Sequence, residues 1–181
     1  MLKNLIQLIK NSHLVTITGP IGSGKSLLLT KLAHHTQLGG TIIASKEQLT
    51  SLSPQGNVFI DNYWNSLDKQ DYQQIIKNQR KVIFCSQRFQ YEWIRIRDQV
   101  DLIIRAKGVK QRWWFGWEKY LQLEVYHDSL SHGWENCETI DLPLTRQDLT
   151  RLNGYCDSQR KEYHKTITEQ RNSLNNSEIR I

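Results

Sequence analysis

LVTITGPIGSGKSLLL, residues 14–29, decides the fold. Leu14 to Thr18 form a short apolar, β-branched run with the composition of a buried strand. GPIGSGKS, Gly19 to Ser26, follows directly and satisfies G-x-x-x-x-G-K-S. Leu28, Leu29, Leu32 and Ala33 then recur at helical spacing. A glycine-rich loop between a buried strand and a helix is a phosphate-binding loop. Gly19, Gly22 and Gly24 let the backbone turn tightly and aim successive N–H groups inward, and the helix N-terminus adds partial positive charge. Pro20, Ile21, Ser23 and Leu27 complete the expected cradle. Lys25 is expected to reach the β- and γ-phosphates and Ser26 to ligate Mg²⁺. The ligand expected here is ATP, ahead of GTP.

Working outward, TIIAS (Thr41 to Ser45), NVFID (Asn57 to Asp61), KVIFCS (Lys81 to Ser86) and DLIIRA (Asp101 to Ala106) are further short apolar runs. The polar segments between them have helical periodicity, as at Tyr72, Ile75 and Ile76. Such alternation predicts an α/β three-layer sandwich with a mainly parallel central sheet. Asp61 ends its run and is expected at the tip of a strand neighbouring the glycine loop, holding magnesium through water. The next residue, Asn62, stands where many ATPases of this kind have a glutamate that activates water, and an amide cannot accept a proton as a carboxylate does. Asp68 or Glu92 could supply that base, or hydrolysis could be slow. CSQRF places Ser86 and Gln87 at the same sheet edge, where a polar side chain can sense the γ-phosphate or position water.

After Lys107 the pattern changes. RWWFGWEKYLQLEVYHD alternates at Leu121, Leu123 and Val125, which predicts antiparallel strands added at the sheet edge. Thr145 with Asp148 three residues on predicts the capped start of a C-terminal helix. Residues 1–164 are read as a single domain, and 165–181, polar and Asn-rich, as a frayed tail. At the other end, Leu2, Leu5, Ile6 and Ile9 share one helical face, which predicts a helix packed on the domain.

The composition narrows the setting. There are 24 Lys and Arg against 18 Asp and Glu, a net charge of +6. Between Arg80 and Arg112 nine basic residues face three acidic ones, a distribution suited to releasing counterions from a nucleic acid. Cys85, Cys137 and Cys156 are far apart and odd in number, so reduced thiols are expected in place of disulfides or a zinc site. His34, His35, His127 and His132 lack partners at ligand spacing, and surface or capping roles are expected of them. No apolar run approaches the ~20 residues that cross a bilayer, and a cytoplasmic location is expected. Trp113, Trp114 and Trp117 are expected in packing ahead of base stacking.

The order of these motifs resembles the FtsK–HerA superfamily of DNA-pumping ATPases, through the phosphate loop, the acidic strand end and the run Ser86-Gln87-Arg88. Within it the chain is similar to the genome-packaging ATPases of viruses with internal membranes and of poxviruses, and to Zot-like assembly ATPases of filamentous phages. WIRIRDQVDLIIRAK, Trp93 to Lys107, carries that likeness, and Tyr155, Asp157 and Ser158 faintly echo a late Tyr-Asp-Thr element. The resemblance covers roughly Leu14 to Ala106. It implies an ATPase that translocates DNA in viral or phage packaging, working as a hexameric ring. It implies catalytic roles for Lys25, Asp61 and Gln87, and for Arg97, with Arg95 and Arg88 beside it, as an arginine finger. A capsid or membrane-associated assembly partner would fit. Two other readings stand beside it: a nucleotide-gated assembly factor with little hydrolysis, which Asn62 favours, and a small-molecule kinase of the nucleoside type, for which no acceptor motif or Arg-rich lid stands out.

Overall fold

The apolar runs become strands because the sheet buries them on both faces. In the computed structural model, which describes residues 2–43, 46–53, 55–61, 67–86, 99–113, 117–129 and 133–178, helix α1 (Leu2–Asn11) leads into β1 (Leu14–Thr18) and α2 (Lys25–Ala33). Strand β2 (Thr41–Ile43), a 3₁₀ turn (Lys46–Ser51), β3 (Asn57–Ile60), α3 (Lys69–Asn78) and β4 (Lys81–Ser86) follow. A long meander of β5 (Leu102–Trp113), β6 (Trp117–Ser129) and β7 (Gly133–Pro143) ends in α4 (Arg146–Glu178).

The strands form one sheet in the order β2-β3-β4-β1-β5-β6-β7. Every pair from β2 to β5 is parallel, and β5–β6 and β6–β7 are antiparallel. This is the expected mainly parallel sheet with an antiparallel edge. Alternate strand residues feed two cores. On one face Val15, Ile17, Ile83, Cys85, Leu102 and Ile104 meet Leu5, Ile6 and Ile9 of α1 and Leu28, Leu29 and Leu32 of α2. On the other, Leu14, Val82, Phe84 and Ile103 meet Tyr72, Ile75 and Ile76 of α3. Leu5 and Ile9 are fully buried and Ile6 is 2% exposed, so each adds about 2 kcal/mol to holding α1 in place.

Three elements differ from the sequence reading. β5 does not stop near Lys107 but runs to Trp113, since pairing with β6 carries it past a register shift between Ala106 and Gly108. β3 is not next to β1: β4 lies between them, so Asp61 sits two strands from the strand that feeds the glycine loop. Residues 165–178, expected to fray, continue α4 without a break. The physical reason is local. Thr145 and Asp148 start the helix, with Asp148 N–H donating to Thr145 Oγ1 at 3.1 Å and Thr145 N–H to Asp148 Oδ2 at 2.8 Å. No glycine or proline then interrupts it between Cys156 and Glu178. Among the described residues no helix is long and apolar enough to cross a membrane.

Candidate functional site

The site is built where β1 hands over to α2. Gly19 has φ +142°, and a Cβ there would lie 2.4 Å from the Ala106 carbonyl oxygen and 2.7 Å from Ser23 Oγ. The loop is therefore pressed on β5 with no room for a side chain. Gly24, at φ +92°, is the N-cap of α2, and a Cβ on it would meet Leu121 Cδ1 at 2.7 Å. The β5–β6 hairpin thus leans over the loop. No side chain caps the start of α2, so the free N–H groups of its first turn remain for an outside acceptor, the condition for binding an anion.

Strand register brings the other groups to the same sheet edge. Ser86 pairs with Thr18 at the ends of β4 and β1. Asp61 follows the last residue of β3 and is tied down by its N–H donating to the Ile43 carbonyl at 3.1 Å. Its side chain is buried, the residue being 1% exposed. A cavity of about 420 Å³ opens here. Lys25, Ser26, Asp61 and Ser86 form its polar part; Ile21, Leu27, Val109, Leu149 and Leu152 form its apolar walls, with Gly22, Gly24, Cys85 and Cys156 between. Pro20 and Ser23 shape the loop: Pro20 O accepts the Ser23 N–H at 3.2 Å, and Ser23 is buried beneath it. A larger cavity, about 1010 Å³, lies against α3 beside Leu49, Leu52 and Gln79, at the opposite sheet edge. It contains none of the motif residues.

The electrostatics suit a polyanion with a cation. Lys25 Nζ donates to the carbonyls of Gly19 and Pro20, both at 2.8 Å. Burial lowers its pKa, and the neighbouring Cys85 and Asp61 offset this only in part. The Cys85 thiol is pushed well up by burial first and by Asp61 second, so it stays neutral. Two hard oxygen donors, the Ser26 hydroxyl and the Asp61 carboxylate, share the cavity with Lys25. That donor set fits Mg²⁺, which takes one or two protein oxygens and completes its shell from phosphate and water. Among the described residues no cluster of three or more His, Cys, Asp or Glu could hold a metal unaided.

Helix α4 forms one wall. Tyr155 Oη donates to Asp61 Oδ2 at 3.2 Å. Seven residues earlier, Asp148 pairs with Lys31 of α2 at 2.5 Å. Burial alone would raise the Asp148 pKa; Lys31 and the N–H and hydroxyl of Thr145 together outweigh it and hold the carboxyl below its ordinary range. Of the side chains singled out in the sequence, the structure brings Lys25, Ser26, Asp61 and Ser86 together. Gln87, Arg97, Arg95, Arg88, Asn62 and Glu92 lie outside the described residues. Asp68, considered as a base, is instead the N-cap of α3, accepting from Gln70 and Asp71 N–H, and does not line the cavity. His34 caps the end of α2, with Nδ1 2.8 Å from the Thr30 carbonyl oxygen. Sequence reasoning missed Val109, Leu149, Leu152 and Cys156, and found in Tyr155 only a faint motif; the α-helical spacing of Leu149, Leu152 and Cys156 was the one available signal.

A comparison with curated proteins gives no match. The family model of the KAP family P-loop domain matches residues 1–181, the full length of the chain. With its mixed sheet, its glycine loop and the carboxylate buried at the strand end, the chain belongs to the KAP family of P-loop domains.

Proposed function

We propose that this domain binds ATP with Mg²⁺ between the glycine loop and α4 and hydrolyses its terminal phosphoanhydride bond. The observation that carries the reading is the meeting of Lys25, Ser26 and Asp61 in one cavity at an uncapped helix N-terminus. Lys25 exchanges two neutral carbonyl acceptors for charged phosphate oxygens, a stronger pairing. Ser26 and, through water, Asp61 would hold the metal, which when bound neutralises charge building on the phosphates. Loop N–H groups and the first turn of α2 orient the phosphate chain. In hydrolysis the oxygen of water bonds to the terminal phosphorus as the bridging P–O bond breaks, releasing ADP and phosphate. Asp61 is the one carboxylate lining the cavity among the described residues. With Asn62 after it, a slow step is expected.

The finer reading, a hexameric ring that moves DNA for viral or phage packaging with Gln87 as sensor and Arg97 as finger, rests on the sequence resemblance. Exposed cations at Arg105, Lys107 and Lys110 of β5 and Lys119 of β6 support it, although Glu124 pairs with Lys107 at 3.0 Å and approaches Arg105 at 3.8 Å. One experiment tests both levels: binding of a fluorescent ATP analogue and phosphate release, with and without DNA, beside Lys25→Ala. Loss of a charged hydrogen-bond donor of about 1.5–3 kcal/mol predicts binding about 10–100-fold weaker in the variant. Turnover that rises severalfold with DNA supports the motor. Tight binding without turnover leaves a nucleotide-gated assembly factor, and equal binding by both proteins overturns the site.

A further inference from the structure

A carboxylate as enclosed as that of Asp61, 1% exposed, needs hydrogen-bond donors, and those donors select which way it faces. One of them comes from the far end of the chain, the Tyr155 hydroxyl, 3.2 Å from Oδ2 and 94 residues away in sequence. A phenol carries its proton at neutral pH, so the hydroxyl faces the carboxylate as the donor. The backbone carrying it is fixed as well. Asp148, seven residues earlier on α4, is locked to Lys31 of α2 at 2.5 Å, and Leu149 and Leu152 line the same cavity. Tyr155 therefore approaches Asp61 from a helix anchored on the very helix that begins with Lys25 and Ser26.

Resting on the nucleotide reading above, we infer that Tyr155 is a positioning residue for Asp61, its hydroxyl holding one carboxylate oxygen so that the group is preset for the metal's water. Outer-shell groups that orient what a metal binds change metal affinity about 10–100-fold when removed, and Tyr155, which acts behind Asp61 and its water, belongs at the low end of that range. A carboxylate without this donor can turn within its pocket and spends less time in the orientation that the metal uses. The tyrosine bonds Asp61 and is assigned no contact with the phosphates, so its effect belongs to the metal and not to the nucleotide's own affinity.

The test is a magnesium titration of fluorescent ATP analogue binding to the full chain, for wild type, Tyr155→Phe, Asp61→Asn and the double variant. Thermal unfolding confirms that each is folded. The expected result for Tyr155→Phe is a Mg²⁺ midpoint raised about tenfold, with binding in EDTA within about twofold of wild type. In the Asp61→Asn background, removing the hydroxyl should add no further shift, because its effect passes through the carboxylate. A midpoint that is unchanged overturns the inference, as does a lowered one, which would show the hydroxyl competing with the metal. Equal loss of binding with and without magnesium overturns it too, by assigning Tyr155 a purely structural role. If wild type binds the analogue only with magnesium and Tyr155→Phe matches it, the positioning role alone falls. If wild type binds no nucleotide at all, the proposed function falls first.

Discussion

Gly19 and Gly24 both have left-handed backbone, but what surrounds them differs in kind. A Cβ on Gly19 would press on the backbone carbonyl of Ala106 at 2.4 Å, and backbone held in the β5–β6 pairing has less room to give than a side chain. A Cβ on Gly24 would meet the far end of a leucine side chain, Leu121 Cδ1 at 2.7 Å, which can change rotamer. Both substitutions strain φ, a cost of about 1–3 kcal/mol, and only Gly19→Ala adds an overpacking cost of about 1–3 kcal/mol. Urea unfolding should therefore show Gly19→Ala losing about 4 kcal/mol and Gly24→Ala about 2 kcal/mol. Equal losses would mean that β5 yields as readily as a leucine. The motif pattern makes both glycines equivalent; the difference exists only once β5 is folded against the loop.

At the scale of the element, α4 depends on a single carboxylate with two duties. Asp148 closes the capping box with Thr145 and pairs with Lys31, the two side chains being 6% and 13% exposed. Thr145→Ala should cost about 1 kcal/mol, the usual loss of a cap. Asp148→Asn should cost more, about 2–3 kcal/mol, because it also leaves Lys31 facing a neutral group in a nearly closed setting. The sign of the pH dependence follows from the depressed folded pKa of Asp148. Its contribution is full above the unfolded carboxylate value near about 3.9 and is lost as pH falls through the lower folded value. Denaturant melts from neutral to acid pH should show the wild type losing this increment and Asp148→Asn lacking it at every pH; parallel curves would remove Asp148 as the cause. Half of this was readable in sequence. Thr145 and Asp148 are a local pattern, whereas Lys31 is 117 residues away and nothing in periodicity joins them. Beyond residue 165 α4 continues to Glu178, a stretch whose only sequence trace is the lack of helix breakers.

For the whole molecule, the parallel half of the sheet was legible because strands buried on both faces must be written as unbroken apolar runs. The glycine loop, Asp61 and Ser86 were legible because strand ends in register bring them to one edge, whatever the rest does. The order of β3 and β4 was not, since both runs are equally apolar and periodicity does not rank neighbours. Nor was the wall formed by α4, which returns from the far side of a three-stranded meander to reach Asp61. Family membership follows the same division: the loop identified a P-loop domain, and of the features that suggested FtsK–HerA, Gln87 and the first part of the run from Trp93, residues 93–98, lie outside the described residues. If the nucleotide bridges loop and helix, binding must couple segments that the sequence keeps far apart. Saturation at about 100 times Kd stabilises a folded state by about 2.7 kcal/mol, which corresponds to amide exchange slowed by up to about 100-fold. Hydrogen exchange with ATP and Mg²⁺ should then show new protection at residues 19–28 and also at 146–156, where Leu149, Leu152 and Tyr155 lie. Amides of α3, which packs on the opposite face of the sheet, should gain far less if opening is local. Protection confined to 19–28 would mean that α4 stands beside the site without taking part in it. Protection in both segments would make α4 a working part of the nucleotide site.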